Sequence, residues 1–151
     1  MPIFIRTIKK IIKRVIFRNK TELFGFVYFG KMADISIDTS PTGERESLEE
    51  IVNTCGLGSG FVVDIGANDG FSNSCTLGLF SRNNWAGLAI EMQPSKFAQL
   101  AYLYSRFPNV RLVRSRITPN NVCELLTGCE VPNAFDVLNI DIDSYDLHVI
   151  S

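Results

Sequence analysis

Residues 44–151 predict an α/β fold, a parallel sheet with helices on both faces. Three observations predict it. From residue 60 on, short apolar segments alternate with segments of helical periodicity. The apolar segments are nearly continuous, as strands buried on both faces are. Polar, chemistry-bearing residues collect just after each apolar segment, at the strand ends where ligands of such sheets bind.

The strand candidates are Phe61–Ile65, Gly87–Ile90, Val110–Val113 and Phe135–Ile140, each enriched in Val, Ile, Leu or Phe. Helical patterns lie between them at Ser72–Phe80, Pro94–Phe107 and Asn121–Leu126. Pro94 suits the first turn of its helix, where no backbone donor is lost. Phe97, Leu100, Ala101 and Tyr104 supply that helix with an apolar stripe. Strand–helix–strand alternation requires parallel pairing and right-handed crossovers. A further helix is expected from about Glu44 to Thr54, with acids in its first turn and Gly56 as its stop.

The 151 residues suit one domain with one core, and 46% hydrophobic against 21% charged residues is a globular composition. The net charge of -1 hides an asymmetry. Residues 1–20 carry seven Lys or Arg and no acid, whereas the rest of the chain holds eight basic groups against sixteen acids. Phe4, Ile8, Ile11, Ile12, Val15 and Ile16 recur at helical spacing, opposite Lys9, Lys10, Lys13 and Arg14. This is a cationic amphipathic helix. It fits two roles: lying on an anionic membrane surface, or packing on its own domain or a partner. A signal peptide needs an uninterrupted apolar run, and charges interrupt this one. Residues 21–43 form a lead-in, with two short β segments expected within 23–37.

No apolar run is long enough to span a bilayer. The four cysteines, Cys55, Cys75, Cys123 and Cys129, form no C-x-x-C pair, and His148 is the sole histidine, so no zinc site is expected. The cysteines read as buried thiols in a reducing, cytoplasmic compartment.

The residues after each strand narrow the function. After the first come Gly66, Ala67, Asn68, Asp69 and Gly70. After the second come Glu91, Met92 and Gln93; after the third, Arg114, Ser115 and Arg116; after the fourth, Asp141, Ile142 and Asp143. A phosphate-loop NTPase needs G-x-x-x-x-G-K-[ST], and that lysine is missing. A dinucleotide loop needs G-x-G-x-x-G, but the glycines here are four apart. "GLGSG" at 56–60 precedes the strand and reads as a helix-to-strand turn. What remains is Asp64, Gly66 and Gly70, with Glu91 ending the next strand. An acid at that place can accept both hydroxyls of an adenosine ribose. Asp64, inside its strand, can be satisfied by a ligand's amino group or by N–H groups of the loop. Several acids without a basic loop residue favour a ligand with a cation and a free ribose over a polyphosphate.

In this context "VVDIGANDG", "LAIEMQPSKFAQL" and "FDVLNIDIDSYD" resemble the first, second and fourth motifs of class I S-adenosylmethionine-dependent methyltransferases. The nearest resemblance is to the FkbM-like group, and it covers about residues 44–151. It implies a Rossmann-like sheet, S-adenosylmethionine as cofactor, and O-methylation of a saccharide or other small hydroxyl acceptor. It also implies roles. Gly66 and Gly70, with Ala67 and Asn68 between them, let the backbone approach the methionine part of the cofactor. Asp64 helps hold the amino group, Glu91 binds the ribose, Met92 packs near adenine, and Asp141 lies beside the methionine moiety and the acceptor. The sequence departs from the family at Arg114-Ser115-Arg116, where an acid or small polar residue is usual. It departs again at Asp143-Ser144, where glycine commonly follows the acid. Against the seven strands of the family, the chain is expected to be truncated after the fourth.

Candidates for a general base are Asp141, Asp143, Asp146 and His148; the pair Asp141 and Asp143 also suits Mg²⁺ or Ca²⁺. Asp143 alternatively caps the next helix. No resident metal and no nucleic-acid partner are expected. Competing classes are a dehydrogenase-like fold, which the glycine spacing disfavours, and a non-catalytic or truncated Rossmann-like nucleotide-binding module.

Overall fold

A computed structural model of the chain describes residues 34–142 and residue 149. The expected amphipathic helix at 1–20, most of the 21–43 lead-in, and Asp143, Asp146 and His148 lie outside the described residues.

Four parallel strands form one sheet: β1 (Gly60–Ile65), β2 (Trp85–Ile90), β3 (Val110–Val113) and β4 (Val137–Ile140), in the order β3-β2-β1-β4. This is an α/β, Rossmann-like arrangement. Between the strands run α1 (Glu44–Thr54), before β1, then α2 (Leu77–Phe80), α3 (Pro94–Tyr104) and α4 (Val122–Gly128). The central strands are buried on both faces, as their unbroken apolar runs require. Val63, Ile65, Leu88 and Ile90 pack with Ile117 and Val122 on the α4 side. The opposite face meets Phe80, and a ladder of edge-to-face rings, Phe80–Tyr104–Phe107, extends the core there.

Boundaries depart from expectation for local reasons. The helix expected over Ser72–Phe80 shrinks to its last turn. Asn73 adopts φ 61°, and Asp69 has already taken the N–H of Ser72, so the chain cannot coil earlier. The β segment expected up to residue 37 is, over 34–37, a turn in which Ser36 donates twice to the Asp34 carboxylate. Serine and aspartate two apart offer the backbone that alternative to a strand. The Arg45 guanidinium then holds this segment by the carbonyls of Ile35 and Ile37, each at 2.9 Å. β4 starts at Val137 rather than Phe135, because the Asp136 carboxylate turns back to accept the N–H of Phe61 at 2.8 Å. β2 begins two residues earlier than expected, at Trp85, whose indole is buried. α3 ends at Tyr104, and its buried side is Ala98, Leu100, Leu103 and Tyr104 rather than the stripe through Phe97 and Ala101.

The ending of α1 follows the glycine signal. Gly56 takes φ 70°, its N–H bonds to Asn53 O, and Leu57 N–H reaches back to Val52 O at 3.0 Å. These two bonds make a Schellman cap that satisfies the last carbonyls.

The sharpest packing constraint is Gly66, directly after β1. Its φ is 91°, and a Cβ there would lie 2.0 Å from the backbone oxygen of Asp141. Gly66→Ala is therefore expected to cost more than about 2 kcal/mol, from backbone strain and collision together. At Gly58 a Cβ would meet nothing within 4 Å, so Gly58→Ala should stay within about 0.5 kcal/mol of the parent. Urea midpoints of the two variants check this; equal midpoints would refute it.

Candidate functional site

The carboxyl ends of all four strands open onto one cleft of about 210 Å³. Gly66 contributes from β1, Glu91 and Met92 from β2, Ser115 and Arg116 from β3, and Asp141 from β4. A larger hollow of about 300 Å³ lies between α1 and β4, lined by Leu48, Ile51, Val137 and Cys75 among others. Of these two, the cleft brings together residues from four different strand ends, and such convergence at a parallel sheet's carboxyl edge is what ligand sites are built from.

Glu91 is buried at the end of β2 and ties two neighbouring backbone N–H groups. It is 7% exposed, and its backbone N–H continues the ladder to Val113 O. One carboxylate oxygen accepts the N–H of Asn68 at 2.9 Å and the other that of Gln93 at 2.6 Å. Each oxygen has two lone-pair directions, so a carboxylate aligned by two N–H groups keeps acceptor capacity toward the cleft. Met92 is 55% exposed beside it and presents an apolar surface. Asp141 is exposed at the end of β4, with its N–H bonded to Ile65 O at 2.9 Å. Charge along the cleft is uneven: acids at the β2 and β4 ends, and the Arg116 guanidinium at the β3 end.

The glycine loop is satisfied from within. The N–H groups of Gly66 and Ala67 both donate to Ile90 O, Asn68 donates to Glu91, and Gly70 donates to Ala67 O. Phe71 and Ser72 donate to the Asp69 carboxylate. Six of the seven N–H groups from Gly66 to Ser72 are therefore committed. A phosphate-cradling loop needs such groups free and pointing at the anion. Asp69, 3% exposed, has a role that its place in the sequence did not single out. It organises the turn and pairs with Lys96 of α3 at 3.3 Å. An Asx turn across D-G-x-S is its sequence signal.

The sites singled out from sequence therefore divide. Gly66, Glu91, Met92 and Asp141 line the cleft. Asn68 reaches it through its bond to Glu91, and Ala67 is buried. Gly70 packs against α3, where a Cβ would lie 2.6 Å from Leu100 and 2.7 Å from Tyr104. Its φ of 77° and this close approach explain the glycine without a ligand.

Asp64 does not line the cleft. It is 2% exposed, and its oxygens accept the Thr76 hydroxyl at 2.6 Å and the Asn139 side-chain amide at 2.8 Å. Neither a loop N–H nor an open ligand position is its partner here. Burial pushes its pKa above the ordinary carboxylate value, the two hydrogen bonds oppose that, and the negative charges of Asp141 and Glu91 add to it.

The cysteines differ from expectation. All four are free; Cys55 and Cys123 are exposed, while Cys75 and Cys129 are half-buried. Exposed positions on α4 and at the end of α1 place those two thiols outside the core. Burial pushes the Cys75 thiol up to about 11, which keeps it protonated and unreactive. Among the described residues no cluster of His, Cys, Asp or Glu is arranged to hold a metal ion, and no helix is long and apolar enough to cross a membrane.

No protein-family model matches the chain, and no curated protein sequence matches it.

Because its pKa is raised on folding, Asp64 favours the fold most when protonated. That contribution is full below the unfolded carboxylate value and is lost as pH rises through the folded value. Asp64→Asn removes the charge, and its amide can still donate to one partner and accept from the other. The thermal midpoint of the variant should accordingly gain on the parent as pH rises from about 4 to 7. A difference that stays flat over that range would refute the buried-charge account.

Proposed function

We propose that the cleft binds S-adenosylmethionine and that the protein is an S-adenosylmethionine-dependent methyltransferase acting on a saccharide or other small hydroxyl acceptor. The observation that carries this reading is the committed glycine loop beside an aligned, cleft-facing Glu91. A loop with six of its seven N–H groups committed disfavours a pyrophosphate, and with it a dinucleotide. A ribose, whose vicinal hydroxyls need an acceptor, suits Glu91. Acids at the β2 and β4 ends of the cleft, Glu91 and Asp141, suit a ligand carrying ammonium and sulfonium charge. Ser115 and Arg116 line the β3 end of the cleft, where the planar guanidinium could stack on an adenine face or donate to its ring nitrogens.

In this reading the residues of the chain bind and orient. Gly66 leaves room at the floor of the cleft, Glu91 fixes the ribose, and Met92 covers the adenine. Asp141 lies beside the reacting end. Bound in the cleft, S-adenosylmethionine would supply an electrophilic methyl for in-line transfer to the acceptor oxygen, leaving the electron pair of the broken bond on sulfur, and a base of the chain would take the acceptor's proton. Holding acceptor and methyl in line supplies most of the acceleration. Asp141 is the described carboxylate placed to take that proton, and Asp143 is the second candidate from sequence.

Calorimetry with S-adenosylhomocysteine, which lacks the methyl and cannot react, tests the reading. Binding is expected, and Glu91→Ala should weaken it at least about tenfold, the worth of one to two charged hydrogen bonds. Binding of NADH with none of S-adenosylhomocysteine would overturn the proposal. Unchanged affinity in Glu91→Ala would remove that residue from the ribose site.

The seven positive charges of residues 1–20 support peripheral contact with an anionic membrane as a second part of the proposal. Sedimentation with phosphatidylserine vesicles should fall sharply when residues 1–20 are removed and at high salt. Equal sedimentation of both forms would exclude this segment as the contact.

A further inference from the structure

Asp64 lies one residue before the cleft-lining Ile65 and Gly66, yet turns its carboxylate away from the cleft and into the protein. Its two partners come from different places in the chain. Asn139 is its register partner on β4, so their side-chain bond adds to the ladder between the two strands. Thr76 stands at the entrance of α2, twelve residues beyond Asp64 and on the far side of the glycine loop.

Thr76 occupies the capping position of α2 without capping it; the adjacent Ser74 hydroxyl takes the N–H of Leu77 at 3.2 Å instead. The Thr76 hydroxyl, 0% exposed, is thereby left for Asp64. The loop from Gly66 to Cys75 is thus closed at its base by one side-chain bond. The same carboxylate holds β4 two residues before Asp141. Directly above, Asp141 O sits where any side chain on Gly66 would be, and Asp141 N–H bonds Ile65 O. Spacing between Gly66 and Asp141 therefore has little slack, and both residues face the cleft.

We propose that Thr76 and Asn139 are positioning residues for the cleft: together they clamp the Asp64 carboxylate as a tie between the loop base and β4, and so set the spacing of Gly66 and Asp141 across its floor. This rests on the reading of the cleft as the cofactor site, and it assigns Asp64 an indirect part there. None of the three lines the cleft.

Asn139→Leu and Thr76→Val remove one donor each at nearly constant volume, and Thr76→Ser keeps the hydroxyl. Two measurements on the full chain separate positioning from a general loss of stability. In amide exchange of the ligand-free protein, 65–67 and 140–142 should exchange about tenfold faster in Asn139→Leu and Thr76→Val, with α3 unchanged. At a temperature where every variant is fully folded, their affinity for S-adenosylhomocysteine should fall about three- to tenfold, the net worth of one hydrogen bond. Thr76→Ser should match the parent in both measurements. Folded isosteric variants with parental affinity and parental local exchange would overturn the proposal, as would exchange that accelerates uniformly across the sheet. If the parent itself binds no S-adenosylhomocysteine, the cofactor reading falls, and the local exchange pattern still decides whether the tie exists.

Discussion

A carboxylate buried in a central strand is the constraint on which the rest of the described structure depends. Asp64 sits on β1, which has a neighbour on each side and helices packed near both faces. An unpaired charge there would be far costlier than any one packing contact is worth. The chain must therefore bring donors to it, and it brings them from opposite directions, Thr76 from the loop and Asn139 from β4. Several departures from simple pattern follow. Thr76, at the entrance of α2, spends its hydroxyl on Asp64 rather than on capping the helix. β4 carries an amide in mid-strand where an aliphatic residue would otherwise serve.

Strand existence and order of elements were legible because buried parallel strands leave an unbroken apolar signature, as in "FVVDI" and "GLAI". Glu91 was legible for the converse reason: an acid ending an apolar run has no packing role. The internal bonding of the glycine loop was not. Nothing in "GANDG" tells whether its N–H groups face a ligand or their own carbonyls, since that depends on Ile90 O and on the Asp69 carboxylate being in reach. The reasons for the two glycines were equally hidden. One yields to the backbone of Asp141 and the other to side chains of α3, elements distant in sequence. The partners of Asp64 were hidden too, because Asn139 lies 75 residues away.

Among the described residues, the two outer strands of the sheet differ. On β3, Arg111 reaches the carbonyls of Cys129 and Glu130, pairs with the Glu130 carboxylate at 3.5 Å and lies over the ring of Phe61. A charged, bonded side chain is a standard guard for a strand edge. On β4, Leu138 is 40% exposed. The cleft spans the ends of both strands, with Arg116 at the β3 end and Asp141 at the β4 end.

The self-bonded glycine loop has one consequence of a different kind. A segment whose donors are already matched, whose base is tied and whose turn is organised by a buried aspartate needs no ligand to acquire its shape. Its conformational entropy is lost during folding, not during binding. Any ligand meeting this loop would find it already shaped, so the loop would add little ordering penalty to binding. The heat-capacity change of such binding would report surface covered rather than this segment being ordered.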